Sequence, residues 1–395
     1  MSKRNLIYLF WATLFSYTTL SMLIPTFPAY VLKLGGNPAQ IGLTWGAFTA
    51  GILVFRPVAG RWTDRKGRRW VALLGTFIFF VSPLLYVAFP SIASLYFFRF
   101  LHGIGSAAFT TASVTLVTDS TTVENRGHTL GLMGTANNVG VALGPWMGSQ
   151  LVQAWGFKAM FMAAAGLALI SLAAALPIRE VVKPALDHEP ISYPRAVLRR
   201  CVLLPSAVLL IAAIIHTSVM SFLPVFLDQR QILSAGPYFM TLGLAMLIVR
   251  AFARPILNAQ AHRLVIFLSL LGMTAGILMI VYAVNSAWLL GAAVMYGFSF
   301  AVIRPVLTSF LANHTPVTAR GTVFSFYEGA YDLGMSLSGI VLGLVANSFD
   351  LVMMFYVTIA IGIVGQLIST GLTDSLTREP VEWSVVLQEE QSIHQ

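Results

Sequence analysis

The stretch Gly60-Arg61-Trp62-Thr63-Asp64-Arg65-Lys66-Gly67-Arg68-Arg69 decides how the whole chain is read. It lies between two apolar runs, Gln40 to Ala59 and Trp70 to Ala88. Each is close to the roughly 20 residues that a helix needs to cross a bilayer core. Arg61, Arg65, Lys66, Arg68 and Arg69 beside the single Asp64 cannot lie in hydrocarbon, so the turn faces water. Cations near the ends of membrane spans mark the cytoplasmic side, which also orients the two flanking helices.

Composition agrees. Of 395 residues, 57% are hydrophobic and 10% charged, and the mean hydropathy is +0.79. A soluble domain carries about 25% charged residues. The net charge of +9 does not point to nucleic acid, because the cations fall in alternate loops between apolar runs. The single cysteine, Cys201, excludes an internal disulfide and offers no metal cluster. Lys3 and Arg4 precede an apolar run that continues to about Tyr30 without a small-residue cleavage pattern, so this run reads as a first span and not a signal peptide.

Apolar runs at 6–31, 40–60, 70–89, 92–118, 127–152, 157–178, 201–227, 236–257, 264–284, 286–312, 321–347 and 350–373 predict twelve transmembrane helices in an all-α membrane protein. Both termini then share the cytoplasmic side, and the outer loops hold only Lys33, Lys158 and Arg230. The expected organisation is an N-terminal six-helix bundle (1–178), a cytoplasmic linker (179–200), a C-terminal six-helix bundle (201–373) and a cytoplasmic tail (374–395). The linker, with Asp187-His188-Glu189-Pro190, reads as a solvated connection.

The two halves repeat at a constant offset of 194 residues. Gly42 matches Gly236, Arg56 matches Arg250, Arg69 matches Arg263, Gly103 matches Gly297, Arg126-Gly127 matches Arg320-Gly321, and Gly140 matches Gly334. A parallel repeat of six spans is an architecture in which two bundles rock about a midplane site. In that register the charged turn has a degenerate copy at Arg254–Arg263, where Asn258 answers Asp64 and Ala261 answers Gly67. Any switching role therefore rests with the first copy.

Three motifs resemble the major facilitator superfamily of transporters: the turn at Gly60–Arg69, Arg99-Phe100-Leu101-His102-Gly103-Ile104-Gly105, and Gly140-Val141-Ala142-Leu143-Gly144-Pro145-Trp146-Met147-Gly148-Ser149. The last is similar to the pattern of the drug:proton antiporter group, with Ser149 at its final glycine. His102 stands where the second motif of the family has glutamine. The resemblance implies a conformational switch at Gly60, Asp64, Arg65, Gly67, Arg68, Arg69 and Arg126, with Asp64 facing the start of the eleventh span in the outward-open state. A helix N-terminus suits a carboxylate; the alternative is a positive-inside anchor with an incidental Asp64. It further implies proton coupling through Arg99, with His102 one turn later able to titrate or to stay neutral. Snorkelling of Arg99 to the interface is the competing reading.

Gly140, Gly144 and Gly148 at four-residue spacing make one flat helical face, and Pro145 permits a bend. Ordinary helix packing would use the same face. Glu328 and Asp332 lie about 10 and 16 Å from Gly321 along the eleventh span and share one side of it. Two carboxylates there cannot both stay ionised without a cation or water. They are candidates for proton exchange, with Arg304 as their plausible partner; a static ion pair with Arg304 is the alternative. The first span has no acidic residue, so coupling must use another position.

Tyr30, Asn137, Asn138, Phe222, Tyr327 and Tyr331 are candidates to line a substrate cavity, together with Trp11, Phe15, Tyr17, Phe27, Phe226, Phe324 and Phe326, although such aromatics also serve as core or lipid-facing residues. No Walker loop, catalytic triad pattern or metal-ligand spacing occurs, so neither an enzyme, a metal site nor a cofactor is expected. The expected function is a monomeric secondary transporter of the bacterial inner membrane that exports a small amphipathic solute against a proton. The alternatives are a sugar or metabolite transporter of the same fold, a lipid flippase, or a non-transporting receptor.

Overall fold

The computed structural model describes residues 3–120, 123–179, 198–252, 262–315 and 320–372. All regular structure among them is helical. In chain order the helices are α1 (Lys3–Lys33), α2 (Pro38–Lys66), α3 (Arg68–Ala88), α4 (Ile92–Ser120), α5 (Val123–Ala175), α6 (Arg200–Arg230), α7 (Ala235–Phe252), α8 (His262–Val281), α9 (Ser286–Asn313), α10 (Arg320–Leu337), α11 (Gly343–Ser348) and α12 (Leu351–Ser369). A π-helical turn, Ser338–Leu342, joins α10 to α11.

Local chemistry sets several boundaries. The Asn37 side chain accepts from the Gln40 amide at 2.9 Å while the Gln40 side chain accepts from the Asn37 amide at 3.0 Å, a reciprocal cap that starts α2. Asn285 caps α9 and Asp350 caps α12 in the simpler one-way form. Only Gly67, with φ 100°, separates α2 from α3; a side chain there would be strained, so glycine permits the abrupt turn at the charged stretch. Gly156 has φ 79° and ψ 178°, and breaks α5 into two arms.

Ten helical stretches among the described residues are long and apolar enough to cross a membrane. One of these is the 44-residue stretch Leu132–Ala175, which contains the break at Gly156. Ala235–Val249 is apolar but shorter. Helix length and composition therefore support a multi-pass protein without reaching the twelve spans expected from the sequence.

Packing repeats as the sequence does. In the first half α1 lies against α5, α2 and α3 against α4, and α3 against α5. In the second half α6 lies against α10, α7 and α8 against α9, and α8 against α12. Small residues make the close approaches possible: a Cβ on Gly75 would come within 2.6 Å of the Phe109 amide, and one on Gly140 within 2.8 Å of the Leu14 carbonyl. Two further seams, α2 with α10 and α11, and α5 with α7, join the halves. They are related by the same repeat, because α2 corresponds to α7 and the first arm of α5 to α10.

Candidate functional site

Four charged side chains meet where the halves face one another. Arg56, in the middle of α2, donates to Asp332 of α10 at 2.5 Å. The Asp332 side chain is 7% exposed and that of Arg56 33% exposed, so the pair is sheltered mainly on the acid side. One turn earlier on α10, Glu328 accepts from Arg304 of α9. This second pair is more open, at 35% for Glu328 and 41% for Arg304. Tyr331 lies against the Arg304 guanidinium, 4.7 Å from ring centre to charge. Tyr17 of α1 reaches Asn137 of α5 and sits within electrostatic range of Arg304, Glu328 and Arg56. Also within electrostatic range of Arg304, His216 of α6 stacks on Phe300 with ring centres 3.7 Å apart.

The sequence had offered Arg304 as partner for both acids. The structure divides the acids instead: Glu328 takes Arg304, and Asp332 takes a cation from the other half of the chain. An i, i+4 pair on one helix face can reach two different neighbours when each lies on its own side of the stripe. Arg56 had been noted only as a match to Arg250. Its position inside an apolar run was the available signal, since a mid-span cation needs a partner.

Arg99 presents a different environment. It is 1% exposed, and its guanidinium carbon lies 3.7 Å from the centre of the Phe27 ring, with Phe48 and Trp45 at 5.5 and 5.6 Å. Nε and Nη2 have no hydrogen-bond partner in the structure. The neighbouring His102 is fully buried among Phe48, Phe79 and Tyr86, and its Nδ1 lies 3.1 Å from the Tyr86 hydroxyl. Tyr30 donates to the Tyr86 carbonyl at 3.0 Å and packs on Phe157 and Phe161. This cluster lies within the first half.

The glycine motif lies where α5 crosses α1. A Cβ on Gly144 would come within 2.7 Å of the Thr18 carbonyl, one on Gly148 within 2.5 Å of the Met22 carbonyl, and Ser21 donates to the Gly140 carbonyl at 2.9 Å. The second half repeats the device, with Gly334 beside Leu210 and Ser338 donating to the Ile214 carbonyl at 2.9 Å. Of the remaining cavity candidates, Tyr331 faces the interface, while Phe222 is fully buried in packing and Tyr327 is buried with its hydroxyl 3.3 Å from Thr308. Asn138 is half-buried on α5.

At the charged turn, Arg69 donates to the Leu176 carbonyl at 2.8 Å, and Lys66 lies 4.1 Å above the Trp62 ring. Asn5 donates to the Arg179 carbonyl, so the starts of α1 and α3 and the end of α5 share one cation-rich end of the bundle. The side chains of Asp64 and Arg126, the copy of the turn at 254–261 and most of the linker and tail lie outside the described residues.

At the opposite end the halves touch backbone to backbone. Gly42 lies directly on Gly339; a Cβ on Gly339 would come within 2.6 Å of Trp45, and one on Gly343 within 2.8 Å of the Pro38 carbonyl. On the symmetry-related seam a Cβ on Gly243 would lie 3.0 Å from Ala142. A cleft of about 480 Å³ remains there between α1, α5 and α6, lined by Thr26, Gln153, Phe157, Pro224 and Asp228 among others. Among the described residues no cluster of three or more metal-ligating side chains occurs.

Comparison with known proteins places this geometry. The family model described as Major Facilitator Superfamily matches residues 9–339 and 259–385. Multidrug resistance protein 2 of Bacillus subtilis (strain 168) is 30% identical over 156 residues, which are 40% of this chain and 39% of that one. Multidrug resistance protein 1 of the same organism is 32% identical over 183 residues, 46% of this chain and 47% of that one. The match thus spans about two fifths to about half the length of these relatives. A crystal structure of a bacterial homologue of the human lysosomal transporter Spinster, inward-facing and occupied, superposes with a TM-score of 0.78 at 13% identity, covering 95% of this chain and 97% of that one.

Proposed function

This chain belongs to the Major Facilitator Superfamily, and we propose that it is a proton-coupled secondary transporter that exports a small amphipathic solute. Twelve spans follow if Leu132–Ala175 is counted as two, divided at Gly156, and Ala235–Val249 is counted as one. They form bundles over 1–178 and 201–373, joined by 179–200 and followed by the tail 374–395. The membrane is the bacterial inner membrane, the cation-rich end is cytoplasmic, and the unit is a monomer. The backbone contacts at the other end, beside the cleft that remains there, support reading the conformation as inward-facing.

The observation that carries this reading is the Arg56–Asp332 pair. It joins two halves that must separate during alternating access, and its acid is sheltered from water. Breaking a sheltered pair strands a charge, which is costly. Protonation of Asp332 removes that cost and frees Arg56, so a proton can license the movement. Asp332 is accordingly the coupling residue we favour, with Glu328 and Arg304 at the adjoining substrate site and Arg99 and His102 as the next candidates. Asp64, with Gly60, Arg65, Gly67, Arg68, Arg69 and Arg126, holds the outward-open state in this scheme. The drug-export reading draws on the names of the Bacillus relatives.

Uphill transport in proteoliposomes under an imposed pH gradient tests the proposal. Accumulation that collapses with a protonophore is expected. Transport indifferent to the gradient would replace proton coupling by facilitated diffusion, and movement of labelled phospholipid alone would make the protein a flippase.

A further inference from the structure

We infer that the Arg304–Glu328 pair is a divided receptor for an amphoteric solute, one that carries both an anionic oxygen group and an ammonium on an aromatic or other apolar frame. The inference rests on reading this interface as the transport site and adds the charge type of the cargo.

The two ion pairs at the interface differ in a way that suits two tasks. Asp332 is covered and ties α10 to α2, so its contact joins the halves. Arg304 and Glu328 belong to the same half, and each keeps more than a third of its side chain exposed. Their contact joins Arg304 Nη2 to Glu328 Oε2. An arginine has five N–H donors and a carboxylate two oxygens, so both partners retain capacity for a ligand. Tyr331 backs the guanidinium from within the same half, and Tyr17 with Asn137 faces it from the other. A solute bound here would therefore be touched by both halves.

Charge balance selects the cargo. Arg56, Arg304, Glu328 and Asp332 cancel. A solute bearing only an ammonium could reach the second Glu328 oxygen, but two cations would then share one carboxylate. One bearing only a carboxylate would set two anions against Arg304. Either result leaves a net charge in a site only partly open to water, which offsets what the contact supplies. An amphoteric solute exchanges one pair for two, carboxylate on Arg304 and ammonium on Glu328, and strands nothing. The rings of Tyr17 and Tyr331 then suit its apolar frame and, beside the ammonium, supply a favourable cation–π face.

The experiment uses the full-length protein and matched probes on three aromatic cores: phenyl, indolyl and quinolinyl. Each core is presented as amine, carboxylate, amino acid and uncharged amide, and binding is read by thermal shift and by competition for transport in proteoliposomes. On every core that binds, the amino-acid form is expected to bind at least tenfold more tightly than the amine or the carboxylate. Glu328→Gln should turn that preference towards the carboxylate form, and Arg304→Gln towards the amine form. The double variant Arg304→Gln/Glu328→Gln leaves no charge stranded and should fold, yet bind the charged forms within about threefold of one another. A purely structural pair would lower the melting temperature without changing this order. The inference is overturned if the amine or the carboxylate equals the amino acid in the unaltered protein, or if the double variant keeps the original preference. Absence of binding and transport for every probe would instead overturn the reading of this interface as the transport site, and the inference with it.

Discussion

Arg99 and Arg304 are both arginines inside apolar helices, yet the protein accommodates them in opposite ways. Arg99 is enclosed within one half by Phe27, Phe48 and Trp45, which offer it ring faces. Arg304 stands at the seam between halves, where it meets Glu328, Tyr331 and open space. The difference follows from what each location must do. Inside a bundle that moves as a unit, a cation can be held by fixed π faces. At a surface that opens and closes in the proposed transport cycle, it needs a partner that can be exchanged. The Arg56–Asp332 pair takes the second arrangement further, because its partners belong to different halves.

The largest effect is expected where a charge is stranded across the seam. Arg56→Gln should abolish transport and, with Arg56 already one-third exposed, lower stability by about 1–3 kcal/mol, below the full cost of a buried pair. Arg56→Gln/Asp332→Asn should recover part of the stability in thermal unfolding while still failing to accumulate solute uphill. Unchanged stability in the single variant would make the pair a surface contact and remove the contrast with Arg99.

A smaller loss is expected at the cage. Arg99→Lys replaces a planar cation by a compact ammonium that stacks poorly on rings, and should cost about 1–2 kcal/mol. Arg99→Met sets an apolar chain among the rings of Phe27, Phe48 and Trp45 at the loss of the contact with the Tyr86 hydroxyl, and should be tolerated better than Arg99→Lys in the same assay. The reverse order would mean that a counter-charge, not the rings, holds Arg99.

Packing at the glycine face comes next. Gly140→Ala places a methyl against the Leu14 carbonyl and the Thr18 amide, both at 2.8 Å, and should cost about 1 kcal/mol or slightly more through forced separation of α5 from α1. The smallest effect belongs to His102. With Phe48 and Phe79 against its ring, and with the Phe98 carbonyl still 3.5 Å from the Tyr86 hydroxyl, His102→Phe loses one hydrogen bond, should cost about 0.5–1 kcal/mol and should leave the pH profile of transport unmoved. A displaced profile would bring the cage into the coupling machinery.

The sequence made the bundle legible because its signals are local. Five cations at one turn, the 194-residue repeat and the glycine spacing each act within a helix or between neighbours. The Arg304–Glu328 contact was legible too, since a mid-span acid demands a cation and few were available. Arg56–Asp332 was not, because it joins residues 276 positions apart and depends on how the halves meet. Tyr30 and Phe222 had been candidates for a cavity, and both are buried in packing. An aromatic residue in an apolar run has the same pattern whether it faces a partner helix, lipid or solute. The span count was blurred for a related reason: Gly156 turns the backbone without a polar loop, so two apolar runs form one continuous helical stretch.

The central claim is that Asp332 links proton uptake to separation of the halves, and Asp332→Asn in proteoliposomes tests it most directly. Two rates are measured on the same vesicles: accumulation driven by a pH gradient, and exchange of labelled for unlabelled solute without one. The account predicts that accumulation disappears while exchange persists, because the amide mimics the protonated acid and leaves Arg56 free. Accumulation at the rate of the unaltered protein would contradict it.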